Sequence, residues 1–197
     1  LAYKFPPEAE AEKGLSLGLD QVELDVDVDV GGGLKVRTDL NLFPAEPPAA
    51  NAFDRIVEQA LFEGYVNGTD KGVFLRGGKW NAPIGFEVTD PTGLWQYSQG
   101  LLFTHATPTN LTGFALGYAA EATTVQLWVT NDWDTATNPK DATLGGRVQQ
   151  SFGDVGTVGL SATYGALIDD PARLMIDLDA ALGGAAPRTR RFLAEKT

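Results

Sequence analysis

The first residues that could do chemistry are four carboxylates at alternate positions, Glu23, Asp25, Asp27 and Asp29. Carboxylates are the ligands that hard cations such as Ca²⁺ prefer, and rows of them can also line a passage for cations. Alternate residues of a strand lie roughly 7 Å apart, whereas a calcium site gathers its ligands from a curled loop. The spacing therefore favours a charged strand face, lining a passage or facing solvent, over a dedicated metal site.

Other residues that could take part in catalysis are few. Glu58 and Glu63, or Asp132 and Asp134, could act as a glycosidase pair, but nothing in the sequence fixes their separation. His105 is the single histidine and cysteine is absent, which excludes a multi-histidine or thiolate metal site. We interpret His105 as a loop-packing residue rather than the base of a catalytic triad. No glycine-rich segment is followed by a helix and a Lys-Ser/Thr pair, as a phosphate-binding loop requires. We expect no catalytic residue, no cofactor and no metal.

The composition restricts the protein class further. The formal net charge of -11 argues against a nucleic-acid partner, because phosphate binding requires a basic surface. No apolar run approaches the roughly 20 residues of a membrane-spanning helix. A transmembrane β-barrel stays compatible, because its strands place apolar residues only at alternate positions. The 23 glycines and 11 prolines supply turns for one β-domain, which we expect to occupy residues 1–197.

The carboxylate row belongs to a segment of strict alternation, Val22–Val30, with aliphatic residues at even positions and acidic residues at odd ones. Successive side chains of a strand point to opposite faces, so this pattern predicts a strand with one aliphatic and one anionic face. The glycines Gly31–Gly33 predict a turn, and Leu34–Leu42 predicts the second strand of a hairpin.

The hairpin predicts two facing pairs of opposite charge. If Val30 and Leu34 flank the turn as a pair, Asp29 faces Lys35 and Asp27 faces Arg37. Opposite charges then meet on one face, as cross-strand pairing favours.

The same alternation predicts seven further strands, which brings the total to nine. Leu1–Phe5 could be the stub of a tenth. The seven are Ile56–Val66, Gly72–Trp80, Leu111–Ala119, Val125–Thr130, Leu144–Phe152, Thr157–Tyr164 and Arg173–Asp179. Short connections alternate with long ones such as Phe43–Arg55, Asn81–Asn110 and Trp133–Ala142. This order is typical of an antiparallel up-and-down transmembrane barrel, with short periplasmic turns and long extracellular loops.

One stretch carries a resemblance to a known family. Residues 78–87 read Gly-Lys-Trp-Asn-Ala-Pro-Ile-Gly-Phe-Glu, residues 95–98 read Trp-Gln-Tyr-Ser, and residues 111–113 read Leu-Thr-Gly. This resembles the OmpL-like outer-membrane β-barrel porin family (porin type 2). That family shows a Gly-Lys-x-x-x-Pro-Ile-Gly-x-Glu strand end, a Trp-x-Tyr-Ser loop and a Thr-Gly strand start. Val129–Asp134 resembles the strand end that follows. Members are normally longer and end in an aromatic strand, so we expect either a piece of a larger barrel, trimmed at both ends, or a shortened relative.

The resemblance implies an outer-membrane porin-like channel of a Gram-negative envelope, with membrane lipid around it and ions or small polar solutes inside. A homo-oligomer or an envelope-complex partner is compatible with it. Together with the alternation, it predicts that Val22, Leu24, Val26, Val28, Leu160, Ile176 and Leu178 face lipid. The predicted pore-lining residues are Glu23, Asp25, Asp27, Asp29, Lys35, Arg37, Asp39, Arg147, Asp177 and Asp179.

The connection Asn81–Asn110 is long for a loop without regular structure, and such loops are usually functional. We expect it to fold inward as a constriction loop, with Glu87, Trp95 and Tyr97 as its main side chains. Trp80 and Trp133 lie at strand ends and fit aromatic girdles at the membrane interfaces. The alternative for these aromatic residues is a ligand-stacking path.

Two other functions stay open at this point. The barrel could be structural, anchoring an envelope complex while conducting little. A soluble lipocalin-like binder is also compatible with alternating strands, but it would bury its apolar face and expose its polar one.

Overall fold

The computed structural model describes residues 22–43, 56–90, 93–94, 99–131, 133, 142–165 and 173–182. The elements described in full are nine strands, a short helix, α1 (Leu101–Ala106), and a 3₁₀ turn at Gly153–Val155. The strands are β1 (Val22–Gly31), β2 (Leu34–Phe43), β3 (Val57–Tyr65), β4 (Gly72–Asn81), β5 (Asn110–Ala119), β6 (Thr123–Thr130), β7 (Thr143–Ser151), β8 (Gly156–Gly165) and β9 (Arg173–Leu182). The nine predicted strands are confirmed. The suggested stub Leu1–Phe5 lies outside the described residues.

The strands form one antiparallel up-and-down sheet in which each strand pairs with the next along the chain. Within the described ranges, the edge strands β1 and β9 do not pair with each other. Short and long connections alternate as predicted, so all the short turns lie at one end of the sheet. No helix in the described part of the chain is long and apolar enough to cross a membrane.

The first hairpin confirms both predicted pairs, since Asp29 lies opposite Lys35 and Asp27 opposite Arg37. The expectation that Val30 pairs with Leu34 is wrong. Gly31 takes that place, and a register shift after Asp29 leaves Val30 as an extra residue. The three turn glycines all adopt positive φ, between 63° and 89°, which only glycine adopts without strain.

The two faces of the sheet differ in chemistry. Large apolar side chains are exposed on one face, which we call the outer face, and Leu178 for example is 73% exposed. This face includes Leu24, Val26, Val28, Leu75, Phe114, Leu116, Leu127, Leu160, Ile176 and Leu178. The opposite, inner face buries polar side chains, among them Lys35, Asp39, Gln59, Glu63, Gln126, Arg147 and Ser161. A lipocalin-like binder would show the reverse arrangement, so its burial pattern is not found here.

The sheet is strongly curled. In a flat sheet β4 and β9 would lie about 24 Å apart, because five strand spacings separate them. Gly85 follows the last residue of β4 by only four positions, a reach of at most about 14 Å. Its N–H nevertheless donates a hydrogen bond to Oδ2 of Asp177 on β9, at 3.0 Å. The inner face must therefore be concave.

Candidate functional site

The concave inner face gathers the residues for which the sequence predicts a pore-lining role. By strand register, all ten of them lie on this face. The structure adds polar groups that the sequence reading did not assign to it, namely Gln59, Glu63, Arg76 and Gln126. The chemistry of the inner face can therefore be described, while pore lining itself stays a prediction.

Arg37 lies at the centre of the first charged cluster. Its guanidinium contacts three carboxylates, with nitrogen–oxygen distances of 2.7 Å to Asp39, 3.2 Å to Asp25 and 3.7 Å to Asp27. Asp39 is 1% exposed and also accepts a hydrogen bond from the side-chain amide of Gln59. One cation shared among three anions leaves this part of the inner face negative.

The carboxylates of Glu23, Asp25 and Asp39 have oxygens within 4.8 Å of one another, the arrangement closest to a cation site in the described residues. The buried Asp39 carboxylate is already held by Arg37 and by Gln59. An ion would have to displace these partners to use it as a ligand. The geometry therefore gives no support to a metal site.

Arg76 forms a second cluster that the sequence reading missed. Its Nε and Nη2 donate to Oε2 of Glu63 at 2.9 and 2.5 Å. The guanidinium carbon lies 5.7 Å from the ring centre of Phe74 and 6.0 Å from that of Trp80, within cation–π range. The register of the second hairpin places Glu63 opposite Arg76. This register was the one feature of the sequence that could have predicted the pair.

The suggested glycosidase pair of Glu58 and Glu63 finds no support. Glu63 is held by Arg76, whereas the two oxygens of Glu58 accept hydrogen bonds from Asn41 and Asn81 at 3.2 and 2.9 Å. Each carboxylate thus has its own structural partners, which is the arrangement of structural rather than catalytic carboxylates. Asp132 and Asp134, the other suggested pair, lie outside the described residues.

Arg147 forms the third cluster and spans two neighbouring strands. Its Nη1 and Nη2 bind the two carboxylate oxygens of Asp179 at 2.6 and 2.9 Å, and Nη1 also donates to Ser161 at 2.8 Å. The guanidinium lies against Gly159, where a methyl group would overlap it. Bidentate pairs of this kind are the stronger class of ion pair because both nitrogens are held in fixed geometry.

The connection after β4 crosses the inner face. Residues 82–87, which we call the strap, run from β4 towards β8 and β9. The Gly85 N–H donates to Asp177, and the Ser161 hydroxyl lies 3.5 Å from the carbonyl oxygen of Pro83. Ile84 is buried, with 3% of its surface exposed. The inward course expected for this loop is thus seen in its first residues.

Ile84 completes an apolar cluster on the inner face. This cluster, which we call the inner apolar cluster, contains Leu61, Trp80, Ile84, Leu111, Ala115 and Trp128, with Ala82 and Met175 packed against it. Trp80 is 2% exposed, so its predicted place in an aromatic girdle is wrong. It packs inside because the register pairs it with the buried Leu111. The inner face is therefore not polar throughout.

Two polar groups inside this cluster have no acceptor within the described part of the chain. They are the indole N–H groups of Trp80 and Trp128, and both are fully buried. A buried donor without a partner costs about 1–3 kcal/mol. The two buried N–H groups therefore raise the free energy of the packed cluster, and contact with water would remove this cost.

Glu87 closes the neck of the remaining loop. Both of its carboxylate oxygens accept the Gly100 N–H, at 3.1 and 2.8 Å. The Gln99 amide reaches the carbonyl oxygens of Val88 and Thr89 at 3.3 and 3.4 Å. The other two predicted constriction residues, Trp95 and Tyr97, lie outside the described residues. Glu87 thus holds the two ends of the loop together.

The short-turn end of the sheet carries a separate exposed ion pair. Lys71, in the turn after β3, lies 3.0 Å from Glu121 in the turn after β5. The hydrogen bond from Lys71 lowers the pKa of the Glu121 carboxyl below its ordinary value. Both groups are exposed, so the pair contributes little to stability.

Comparison with known proteins agrees with this architecture. A family model described as putative beta-barrel porin-2, OmpL-like, matches residues 14–182, a range that contains all nine described strands. No curated protein and no solved structure matches the chain.

Proposed function

Since the chain belongs to the OmpL-like β-barrel porin-2 family, we propose that it forms an outer-membrane channel for passive diffusion of ions and small polar solutes. The observation that carries this proposal is the opposite chemistry of the two faces. The outer face exposes aliphatic side chains, which suits lipid, and the inner face holds salt-bridged polar clusters, which suit water. We also propose that this outer membrane is that of a Gram-negative cell envelope.

The proposal also requires that no strand edge is left unpaired in the bilayer, because an unpaired backbone group in hydrocarbon costs several kcal/mol. In an up-and-down sheet β1 and β9 run in the same direction. A fully antiparallel barrel therefore needs an odd number of further strands between them.

We propose that the channel prefers cations, because carboxylates outnumber basic groups on the described inner face. The carboxylates are Glu23, Asp25, Asp27, Asp29, Asp39, Glu63, Asp177 and Asp179, against Lys35, Arg37, Arg76, Arg147 and Arg173. Charge on the wall of a narrow wet passage sets its ion selectivity.

Conductance of the purified protein in a planar bilayer tests the channel function. We expect discrete, reversible current steps from protein that migrates as a folded barrel and shows β-sheet circular dichroism. Folded protein that inserts into the bilayer without carrying current would contradict the proposal. Fractionation of the native envelope on a density gradient tests the location, with the protein expected in the outer-membrane fraction.

A second function, a structural barrel that anchors an envelope complex, is favoured by one observation. The strap and the inner apolar cluster occupy part of the concave face, as they would in a barrel that conducts little. Chemical cross-linking in intact cells would then capture a stoichiometric envelope partner, while the bilayer recordings would stay silent.

A further inference from the structure

We propose that the strap is a hydrophobic gate, in which Ile84 closes the passage by packing into the inner apolar cluster while Asp177 and Ser161 position it there. This inference rests on the proposed channel function and adds its regulation. Residues 82–87 are the moving part, and the strands that carry the cluster are the fixed part.

The barrier would arise from the chemistry of the cluster. Apolar constrictions shut pores to ions by excluding water, since an ion cannot enter without its hydration shell. Ile84 belongs to the same buried cluster as Trp80 and Trp128, whereas the clusters around Arg37, Arg76 and Arg147 give other parts of the inner face a charged surface. The strap thus covers an apolar part of a wall that is rich in charge elsewhere.

The strap is joined to β8 and β9 by a hydrogen bond from Gly85 to Asp177, at 3.0 Å, and by a longer contact from Ser161 to Pro83, at 3.5 Å. Met175 of β9 packs against the same cluster as Ile84. No ladder of strand pairing joins residues 82–87 to β8 or β9. The strap can therefore leave the cluster without breaking the sheet.

Two further features suit an arrangement with two states. Gly85 has a φ of 78°, and no atom lies within 4 Å of the place where its Cβ would be, so the backbone has room to turn there. The indole N–H groups of Trp80 and Trp128 are buried in the same cluster as Ile84 without an acceptor in the described part of the chain. Water that enters the cluster when the strap leaves could hydrate them, which would offset part of the apolar packing lost.

Reversible locking provides the most direct test. The chain has no cysteine, so Pro83→Cys with Ser161→Cys introduces its only two thiols, at positions already in contact. In planar bilayers we expect the oxidised protein to stay in its lowest conductance level and the reduced protein to recover transitions to higher levels. The two single variants serve as controls and should not respond to reductant. Oxidised protein, shown by mass spectrometry to be cross-linked, that opens as often as reduced protein would overturn the proposal.

Single substitutions test the seal and its positioning residue separately. Ile84→Ser should raise the open probability several-fold, whereas Leu101→Ser, at an exposed leucine in the same connection, should not. Asp177→Ala should resemble Ile84→Ser, and Asp177→Asn should retain near-original gating because its amide oxygen can still accept the Gly85 N–H. An open probability that changes with neither Ile84→Ser nor Asp177→Ala would refute the gate and leave the channel function intact. If the folded unmodified protein and its folded variants all fail to conduct, both proposals are refuted.

Discussion

Arg147 on β7 lies flat over Gly159 on β8, and its guanidinium extends to the carboxylate of Asp179 on β9. The absence of a side chain at position 159 creates the space for this crossing. The same relationship recurs on the inner face, where the ring of Phe74 covers Gly117 and the ring of Trp128 covers Gly145. Glycine thus lets large side chains lie along the wall.

Gly159→Ala should therefore destabilise the barrel through Arg147. The new methyl group would overlap the guanidinium and weaken its contacts with Ser161 and Asp179. We expect a loss of about 1–3 kcal/mol in the free energy of unfolding, measured by urea titration in lipid vesicles. In the Arg147→Ala background the same substitution should cost much less. An equal loss in both backgrounds would show that position 159 acts independently of Arg147.

The assignment of the two faces can be tested at neighbouring positions of β1. Val26 lies on the outer face, so Val26→Lys should cost about 2–4 kcal/mol near the bilayer midplane. Asp27→Lys adds the same side chain at the same depth on the inner face and should cost less. Single cysteines at these positions provide a second readout in vesicles with a membrane-impermeant maleimide. Labelling at position 26 with protection at position 27 would reverse the assignment.

Glu87 should control the shape of the loop that follows the strap. Glu87→Ala removes both acceptors of the Gly100 N–H, so the two ends of the loop should separate. We expect faster cleavage by added protease between residues 88 and 99 and larger current fluctuations in bilayer recordings. Glu87→Gln keeps one carbonyl acceptor and should lie between the two. If the alanine variant is cleaved at the original rate, the hydrogen bonds to Gly100 do not hold the loop.

The register of the first hairpin could be predicted because β1 alternates without interruption. The same alternation puts Asp27 and Asp29 on one face, opposite Arg37 and Lys35. Strand β4 offers no such signal. Phe74 and Leu75 are adjacent apolar residues on opposite faces, so alternation could not decide on which face Trp80 lies. The predicted girdle position for Trp80 failed for that reason.

The strap contact has no local signal at all. Asp177 follows Gly85 by more than ninety positions, and the two meet only because the sheet curls. The length and aromatic content of the connection predicted an inward fold, but not that Ile84 would be its buried residue. The Glu63–Arg76 pair was harder to predict than the first hairpin and easier than the strap contact. It lies within one hairpin, but its prediction required the exact register across a longer turn.

The cation preference should depend most on β1. Arg37 is shared among Asp25, Asp27 and Asp39, so removing two of these charges should leave the cluster close to neutral. Asp25→Asn with Asp27→Asn should move the reversal potential in a potassium chloride gradient towards zero. Asp154→Asn, at an exposed carboxylate in the turn after β7, is the matched control and should have little effect.

Salt concentration provides an internal check on this preference. The screening length is about 10 Å at 0.1 M ionic strength and about 3 Å at 1 M. If wall carboxylates set the preference, it should be strong in dilute salt and weak in concentrated salt, because ions near the axis are then screened from the wall. The double variant should show little dependence on salt. An anion-selective reversal potential for the unmodified protein in dilute salt would mean that groups other than the described carboxylates control permeation.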